Sequence, residues 1–265
     1  MNIDLIKVIV KSVVLGVLAI FAAGILYWLV FASDWSWLPA YAPLLPRGLW
    51  LTFQLLVFSC VFGFLAAIPI GLVQVTGPWW LAVPARWFCT VIRGTPLLVQ
   101  LWLIYYGFGS LFPQIAAAYP GFKQDFMWLI RLDAFYYAVL AFSLSFAGYE
   151  GEIMRGAFLG VPRGELEAAR AFGMSPWKVL SRVWLPRAVR LVLPTLAGET
   201  VLQLKSTPLA MTVTVMDLAG VTQKIRQDTF RTFEPLMLLA VIYMCMTFVI
   251  VWGFSFMEKM VPQKR

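Results

Sequence analysis

The chain has 265 residues, of which 61% are hydrophobic and only 13% are charged, whereas a soluble domain usually carries about 25% charged residues. This composition excludes an ordinary soluble domain and predicts that most of the surface faces lipid. The net charge of +8 does not indicate a nucleic-acid partner, because the basic residues cluster in alternate loops between long apolar runs. The sequence has no His, and its three Cys lie singly inside apolar runs, which disfavours a metal site and a disulfide.

The apolar runs predict an all-α membrane protein, a polytopic bundle of about six transmembrane helices, since a spanning helix needs about 20 apolar residues. The predicted spans are residues 10–31, 48–74, 85–112, 133–157, 187–216 and 235–258. Gly77-Pro78 is expected to separate the second span from the third, and Pro113 to close the third. Pro208 is expected to end or kink the fifth span, which leaves residues 209–220 as a candidate re-entrant or interfacial segment.

The first span admits two interpretations. Lys7 and Lys11 precede an uncharged run of 22 residues, Ser12–Ser33, which ends in small residues that resemble a signal cleavage site. The apolar core of a secretory signal has about 7–15 residues, so the longer run favours a retained signal-anchor helix over a cleaved signal. The expected domains are this helix with an extracytoplasmic linker (1–46), a core (47–260) and a cytoplasmic tail (261–265).

The distribution of Lys and Arg predicts the orientation of the spans. With the N-terminus inside, 14 of the 21 Lys and Arg residues fall on the cytoplasmic side and 7 fall outside, as the positive-inside rule requires. Both termini are therefore expected to be cytoplasmic. The most basic loop, residues 160–186, lies between the fourth and fifth spans.

That loop is predicted to form a helix, a bend and a second helix that leads into the membrane. Pro162 and Glu165 suit the first turn of a helix, Gly173 suits its termination, and Ser175-Pro176 suits the start of the next helix. The apolar, small-residue face of the first helix consists of Leu166, Ala169, Phe172 and Gly173. A partner protein covers this face in one interpretation, and lipid headgroups surround the helix in the other.

Three stretches, in order and at consistent spacing, resemble the signature of ATP-binding-cassette importer permeases. The loop carries Glu167-Ala168-Ala169, Gly173 and Leu185-Pro186, which match the E-A-A, G and L-P elements of that family. The stretches RGTPLLVQLWLIYYG (Arg93–Gly107) and GYEGEIMRGAFLGVPRG (Gly148–Gly164) resemble its polar amino-acid branch, which includes histidine, arginine, glutamine and opine permeases. The resemblance implies a five-helix importer core plus one N-terminal helix, in the bacterial inner membrane.

The resemblance further implies a translocation subunit that is not itself an enzyme. The sequence contains no G-x-x-x-x-G-K-[ST] phosphate loop, so no cofactor is expected on this chain, and ATP and Mg²⁺ are expected on a partner ATPase dimer. The residues implied to couple to that ATPase are Glu167, Ala168, Ala169, Gly173, Leu185 and Pro186. The other implied partners are a periplasmic substrate-binding protein and a second, homologous permease. The stretch TFRTFEPL (Thr229–Leu236) favours a heterodimer over a homodimer.

The resemblance also implies where the substrate path runs. Its candidate residues are Leu97, Ser145, Lys205, Ser206 and Thr207, together with Gln100, a polar residue in an apolar stretch. A charge at membrane depth is costly and is a candidate for function, so Lys205 is expected to meet the substrate carboxylate. Alternatively, it snorkels to the membrane interface or pairs with Glu199 or Asp217. Ser206 stands where arginine-specific members carry an acidic residue. This departure implies a different substrate, or a subunit that is the non-binding half of the pair.

Two other classes of function compete with this interpretation. An ion-coupled secondary transporter or channel predicts inverted repeats with broken helices in both halves, and no such repeat is evident in the sequence. A membrane enzyme is disfavoured because no nucleophile–base pair is available. Glu150 and Glu152, near the cytoplasmic end of the fourth span, are expected to pair with Arg155.

Overall fold

The computed structural model describes residues 33–119 and 132–260, together with positions 13–17, 20, 23, 24, 27 and 121. Every regular element within these described residues is helical, so the predicted all-α class is confirmed. The first predicted span, 10–31, lies mostly outside the described residues. Its retention, the number of spans and the proposed domain boundaries stay predictions.

The helices are named in chain order. The first half contains α1 (Leu38–Tyr41), α2 (Leu44–Thr76), α3 (Trp79–Gly94), α4 (Leu97–Ala118) and α5 (Ala134–Gly160). The second half contains α6 (Arg163–Ala171), α7 (Pro176–Val179), α8 (Leu185–Ser206), α9 (Leu218–Thr229) and α10 (Phe233–Met260). A π-helical segment, Leu180–Trp184, joins α7 to α8, and a 3₁₀ segment, Thr207–Val213, follows α8.

The bundle is built around α5, which packs along most of α2. Glycines on α2 make this approach possible, because a Cβ atom on Gly63 would lie 2.8 Å from the Cβ of Phe146, and one on Gly71 would lie 2.8 Å from the Cβ of Met154. Small residues allow close helix contact in membranes, where dispersion forces replace the hydrophobic effect between helices. Phe142 lies in a core near α4, whereas Met154 lies in a second core that reaches α6.

Hydropathy alone identifies fewer spans than predicted. Within the described part of the chain, α2 and α10 are each long and apolar enough to cross a membrane, and α3 with α4 gives a third candidate if that bent pair is one span. The α5 helix contains Glu150, Glu152 and Arg155, and α8 contains Glu199 and Lys205. These charges interrupt the apolar windows of α5 and α8, although both helices are long.

The prediction of one continuous third span over residues 85–112 is wrong. The axes of α3 and α4 meet at 106°, and Thr95 between them is extended, with φ −112° and ψ 140°. Thr95 precedes Pro96, and a residue before proline avoids the helical conformation because of a clash with the proline ring. Pro113 does not close the span, since it lies inside a helix that continues to Ala118; membrane helices tolerate internal proline.

Two other predicted interruptions are confirmed. Gly77 is extended and separates α2 from α3, as Gly77-Pro78 indicates. The α8 helix ends at Ser206, and the following 3₁₀ segment begins with Thr207-Pro208. Thr214 then adopts a left-handed conformation with φ 67°, which turns the chain into α9. Residues 209–220 therefore join the two helices, and their relation to the membrane stays a prediction.

Candidate functional site

The basic loop folds as a hairpin of α6 and α7, which we call the coupling hairpin (Arg163–Trp184). The α6 helix ends with Gly173 in a left-handed conformation at φ 76°, where the missing side chain avoids strain. The N–H of Gly173 donates to the carbonyl of Arg170 at 2.9 Å, and the N–H of Met174 donates to that of Ala169 at 3.2 Å. These two bonds form a Schellman motif. The predicted bend at Gly173 is confirmed.

The apolar face of α6 packs against the hairpin's own chain. Leu166 and Ala169 are buried in one cluster with Val179 and Phe158. The indole N–H of Trp184 donates to the carbonyl of Phe158 at 2.9 Å, and the two rings meet edge to face, 5.4 Å apart. The prediction that Leu166 and Ala169 belong to a face covered by a partner is therefore wrong. Helical spacing shows that residues share a face but does not show what covers it.

The outer surface of the coupling hairpin is formed by other residues. Glu167, Ala168 and Gly173 are exposed, and the side chains of Phe172 and Trp177 are 86% and 72% exposed. Leu185 and Pro186, at the start of α8, are half-buried. The surface available to a partner therefore combines an acidic residue, exposed basic residues such as Arg170 and Lys178, and two aromatic rings around a small-residue corner. Sequence reasoning missed Trp177, although it follows the proline that starts α7.

An ion pair ties the hairpin to α8. The guanidinium Nε of Arg187 donates to Oε2 of Glu165 at 2.8 Å, and its NH2 group contacts Oε1 of the same carboxylate. Hydrogen bonding from Arg187 lowers the pKa of Glu165 below its ordinary range. Glu165 lies in the first turn of α6, where the helix dipole also favours a negative charge.

The break between α3 and α4 is stabilised by hydrogen bonds from Gln100. Its amide nitrogen donates to the carbonyls of Ile92 at 2.8 Å and Thr95 at 3.0 Å, and lies 2.8 Å from Oγ1 of Thr95. Gln100 is buried and does not line the pocket described next. It therefore positions the break that forms one wall of that pocket and does not line the pocket itself, and its place on the substrate path stays a prediction.

A cavity of about 180 Å³ lies between this break, α5 and α8. We call it the central pocket. Three of the predicted substrate-path residues line it, namely Leu97, Ser145 and Ser206. Its other lining residues are Thr95, Phe146, Tyr149, Glu199, Leu202 and Gln203. Residues from three distant parts of the sequence thus meet at one polar site inside an apolar bundle.

The charge in this pocket comes from Glu199, which the sequence interpretation treated only as an alternative partner for Lys205. Glu199, Leu202 and Ser206 share the pocket-facing side of α8, as expected for positions i, i+3 and i+7 of a helix. That spacing was the signal available in the sequence. At the rim, the guanidinium carbon of Arg93 lies 5.6 Å from the ring centre of Tyr149, a distance typical of a cation–π contact.

The remaining two candidates do not line the central pocket. Lys205 is exposed on another side of α8, and within the described residues it makes no ion pair with Glu199 or Asp217. Asp217 is instead buried and caps α9, where its Oδ1 accepts from the N–H of Gly220 at 2.9 Å. Thr207 is buried, and its hydroxyl lies 2.8 Å from the hydroxyl of Tyr243, which connects α8 to α10. Pairing of Lys205 with Glu199 or Asp217 is therefore not observed within the described residues, and its contact with a substrate stays a prediction.

The chain is similar in sequence to known membrane transport components. Residues 59–261 match the model of a family described as "Binding-protein-dependent transport system inner membrane component". This chain belongs to that family. The permease is 38% identical over 219 residues to the octopine transport system permease protein of Rhizobium radiobacter, covering 82% of this chain and 86% of that relative. It is 34% identical over 212 residues to the histidine/lysine/arginine/ornithine transport system permease protein of Escherichia coli (strain K12), covering 80% and 86% of the two chains.

Solved structures give the same assignment. One is described as an amino acid ABC transporter with histidines; it is 30% identical to the permease, covers 86% of this chain and 99% of its own, and superposes with a TM-score of 0.70. An inward-facing MetNI methionine ABC transporter superposes with a TM-score of 0.64, covers 83% and 97% of the two chains and is 18% identical, which supports the fold alone. The chain is thus the permease component of a binding-protein-dependent ABC transport system, and the ion-coupled alternative is not favoured.

The permease contains two acidic residues that the sequence predicted to pair with Arg155. Glu152 does so, since its Oε1 accepts from Nε of Arg155 at 2.8 Å. Glu150 does not: its side chain is fully buried, and neither oxygen has a hydrogen-bond partner within the described residues. Residues three apart share a helix face, whereas residues five apart point in different directions. The prediction for Glu150 is therefore wrong.

Proposed function

We propose that this permease imports polar amino acids or opines, and that it binds them in the central pocket. The single observation that carries this proposal is the composition of the pocket, which holds one carboxylate, Glu199, and has one guanidinium, Arg93, at its rim. Relatives are described as permeases for octopine and for histidine, lysine, arginine and ornithine. These ligands share an amino-acid head with a positive and a negative group.

The central pocket suits such a head chemically. Glu199 would accept hydrogen bonds from the substrate ammonium, and the hydroxyl of Ser145 would donate to its carboxylate. The hydroxyl of Ser206 already donates to the carbonyl of Leu202 at 3.0 Å, so its oxygen would serve as an acceptor. Charge-assisted bonds of this kind are about twice as strong as neutral ones. The cavity volume of about 180 Å³ is smaller than the roughly 300–1,000 Å³ typical of drug-sized ligands. A small zwitterion therefore fits it better than a large apolar compound.

Energy is proposed to come from a separate ATPase dimer, which binds ATP and Mg²⁺ and docks on the coupling hairpin. Glu167, Ala168 and Phe172 supply the exposed contact surface, and Gly173 supplies the corner. Ala169 is buried and so supports the hairpin from within, while Leu185 and Pro186 join it to α8. This assignment replaces the face that sequence spacing suggested.

The packing of the hairpin suggests how that docking reaches the substrate. The Glu165–Arg187 ion pair connects α6 to α8, and the Trp184–Phe158 hydrogen bond connects the hairpin to α5. Both α5 and α8 also form walls of the central pocket. A displacement of the hairpin when the ATPase closes would therefore move two pocket walls together, which is the element that alternating access requires.

A second permease is proposed to cover the outer side of α8. Lys205 is exposed there together with Gly198. A lysine facing lipid is costly, and a nearby glycine allows another helix to approach closely. The proposed partner is a homologous but different chain, on the strength of the Thr229–Leu236 stretch. Lys205 and Thr207 then lie near the interface between permeases, outside the central pocket.

The same proposal gives an orientation. The coupling hairpin and both termini are cytoplasmic, as the positive-inside distribution predicts, and the opposite end of the bundle faces a periplasmic binding protein. The retained N-terminal helix is part of this proposed topology. Reporter fusions at Met1 and Arg265 would test the orientation, and the mass of the mature chain would test retention of the N-terminal helix.

The proposed function is tested by purifying the tagged permease from its native membrane, identifying its associated subunits, and reconstituting the complex in vesicles. We expect one ATPase, a second permease and a binding protein by mass spectrometry. We also expect ATP-dependent uptake of at least one compound from a panel of radiolabelled amino acids and opines. Uptake driven by an ion gradient without any ATPase would overturn the proposal.

A further inference from the structure

The short connection between α9 and α10 contains the feature that the proposed function leaves unexplained. Phe230 follows the last residue of α9 with φ 57° and ψ 15°, in the left-handed region. Its side chain is 93% exposed. Phe230 thus combines an unfavourable backbone conformation with an aromatic ring that is almost fully exposed to solvent.

Neither property is expected of an ordinary helix terminus. The left-handed position after a helix is usually occupied by glycine or asparagine, and a bulky residue with positive φ is an outlier. Gly173 fills the corresponding position after α6 with φ 76°, and Thr214, after the 3₁₀ segment, is the other non-glycine residue with positive φ within the described residues. Strained residues persist where surrounding contacts hold them, and such sites are frequently functional.

The contacts around Phe230 hold its backbone on both sides. The hydroxyl of Thr229 donates to the carbonyl of Ile225 at 2.7 Å and accepts from the N–H of Arg231 at 3.3 Å. The guanidinium of Arg231 pairs with the carboxylate of Asp34, and its NH1 group also donates to the carbonyl of Asp34 at 3.4 Å. The connection is therefore fastened to the segment before α1.

Charged pairs lie on both sides of Phe230 in the sequence. Lys224 and Asp228, on the last turns of α9, form an ion pair at 3.0 Å, and the hydroxyl of Tyr41 donates to Asp228 at 3.1 Å. Arg231 also lies 3.8 Å from Glu234 at the start of α10. Exposed aromatic side chains, here Phe230 and the less exposed Phe233, among charged and solvent-exposed residues are a composition found at protein-binding hot spots.

The side of the membrane on which Phe230 lies indicates which partner it can contact. The α8 helix begins at the coupling hairpin and rises through 22 residues, about 33 Å of helix, before the chain reaches α9. Phe230 therefore lies across the bundle from the hairpin. In the orientation of the proposed function, this is the extracytoplasmic side, where the family's binding protein must deliver its substrate.

We propose that Phe230 is an anchor by which the permease holds its extracytoplasmic substrate-binding protein. This inference rests on the proposed function for the side of the membrane and the existence of that partner. A lipid headgroup layer accepts an aromatic ring in many orientations and gives no reason to fix the backbone at a strained angle. A pocket on a partner protein requires the ring to point in one direction, and the connection between α9 and α10, which Arg231 fastens to Asp34, fixes that direction.

Site-specific photocrosslinking in intact cells tests the contact. A photoreactive phenylalanine analogue replaces Phe230 in one variant and Phe172, which is 86% exposed on the coupling hairpin, in a matched control. We expect position 230 to capture a soluble extracytoplasmic binding protein and position 172 to capture an ATPase. If the variant at position 172 captures an ATPase but the variant at position 230 captures only lipid or the second permease, this inference alone is overturned. Failure to find any ATPase at 172 counts against the proposed function itself.

Substitutions distinguish the contribution of the Phe230 ring from that of its backbone conformation. Phe230→Gly and Phe230→Asn both suit a left-handed residue, so the complex is expected to assemble with unchanged basal ATPase activity. The half-maximal concentration of purified binding protein that stimulates this activity is expected to rise about tenfold. Phe230→Tyr keeps the ring and is expected to stay near the original value. Equal half-maximal concentrations for all four proteins would overturn the proposed anchor.

Discussion

The coupling hairpin and the central pocket are assembled in opposite ways. The hairpin is a continuous stretch whose turn closes through bonds between neighbours, such as that from Met174 to Ala169. The pocket takes Leu97, Ser145 and Glu199 from three separate helices. The docking surface thus depends mainly on local chain conformation, whereas the substrate site depends on how closely distant helices approach. Substitutions that disturb the pocket should therefore have larger effects than those that disturb the hairpin.

The largest effect is expected for Glu199→Gln. The substitution keeps the size of the side chain but removes the only carboxylate among the residues that line the central pocket in the described structure. Hydrogen bonds to charged groups contribute about 1.5–3 kcal/mol, so uptake at limiting substrate should fall at least about tenfold. Uptake by reconstituted vesicles measures this. Glu258→Gln, at the exposed end of α10, is the control, and equal loss in both variants would contradict a role in the pocket.

The next effect concerns the packing that shapes the pocket. A Cβ atom on Gly148 would lie 2.7 Å from the Cβ of Ile92 on α3. Gly148→Ala is therefore expected to push α3 from α5 and to lower stability by about 1–3 kcal/mol, measured by thermal unfolding in nanodiscs. Gly156→Ala on the same helix is the matched control, because a Cβ atom at that position would have no neighbour within 4 Å among the described residues. An unchanged melting temperature for Gly148→Ala would show that the helices can separate without cost.

A smaller effect is expected from the hairpin turn. Gly173→Ala places a side chain at φ 76°, which costs about 1–2 kcal/mol in the left-handed region. We expect faster hydrogen exchange at the end of α6 and weaker coupling of ATP hydrolysis to uptake. Gly164→Ala, within α6 and with open space around its Cβ position in the described structure, should leave both unchanged. Normal coupling and normal exchange in Gly173→Ala would indicate that the bend does not depend on glycine.

The smallest effect is expected for Glu165→Gln. The Glu165–Arg187 pair is exposed, and exposed pairs are screened by salt. Because Arg187 holds the pKa of Glu165 below its ordinary value of 4.5, the contribution of the pair is present above that value and is lost as pH falls through the lowered pKa. Hydrogen exchange of α6 at low and high salt measures it. A difference from the unaltered protein that persists at about 1 M salt, where the Debye length is only about 3 Å, would show that the pair acts other than as a screened surface contact.

Residue type and order were sufficient to predict the helical class, the membrane environment, the Gly77-Pro78 interruption, the end of α8 and the Gly173 turn. These features depend on composition or on a few adjacent residues: apolar length matches the bilayer, proline removes an N–H donor and restricts its neighbour, and glycine accepts positive φ. The Thr95-Pro96 break had the same kind of local signal, which the long apolar run concealed.

The tertiary structure alone decided which of the candidate residues from the sequence analysis face one another. It placed Leu97, Ser145 and Ser206 with Glu199 in the central pocket, turned Lys205 away from it, and buried Leu166 and Ala169 against their own chain. Helical spacing specifies a face but not its neighbour, and all faces of a membrane helix are apolar enough to meet either lipid or protein. The neighbour is selected by close approach at sites such as Gly63 and Gly148, whose contacts come from helices far away in the sequence.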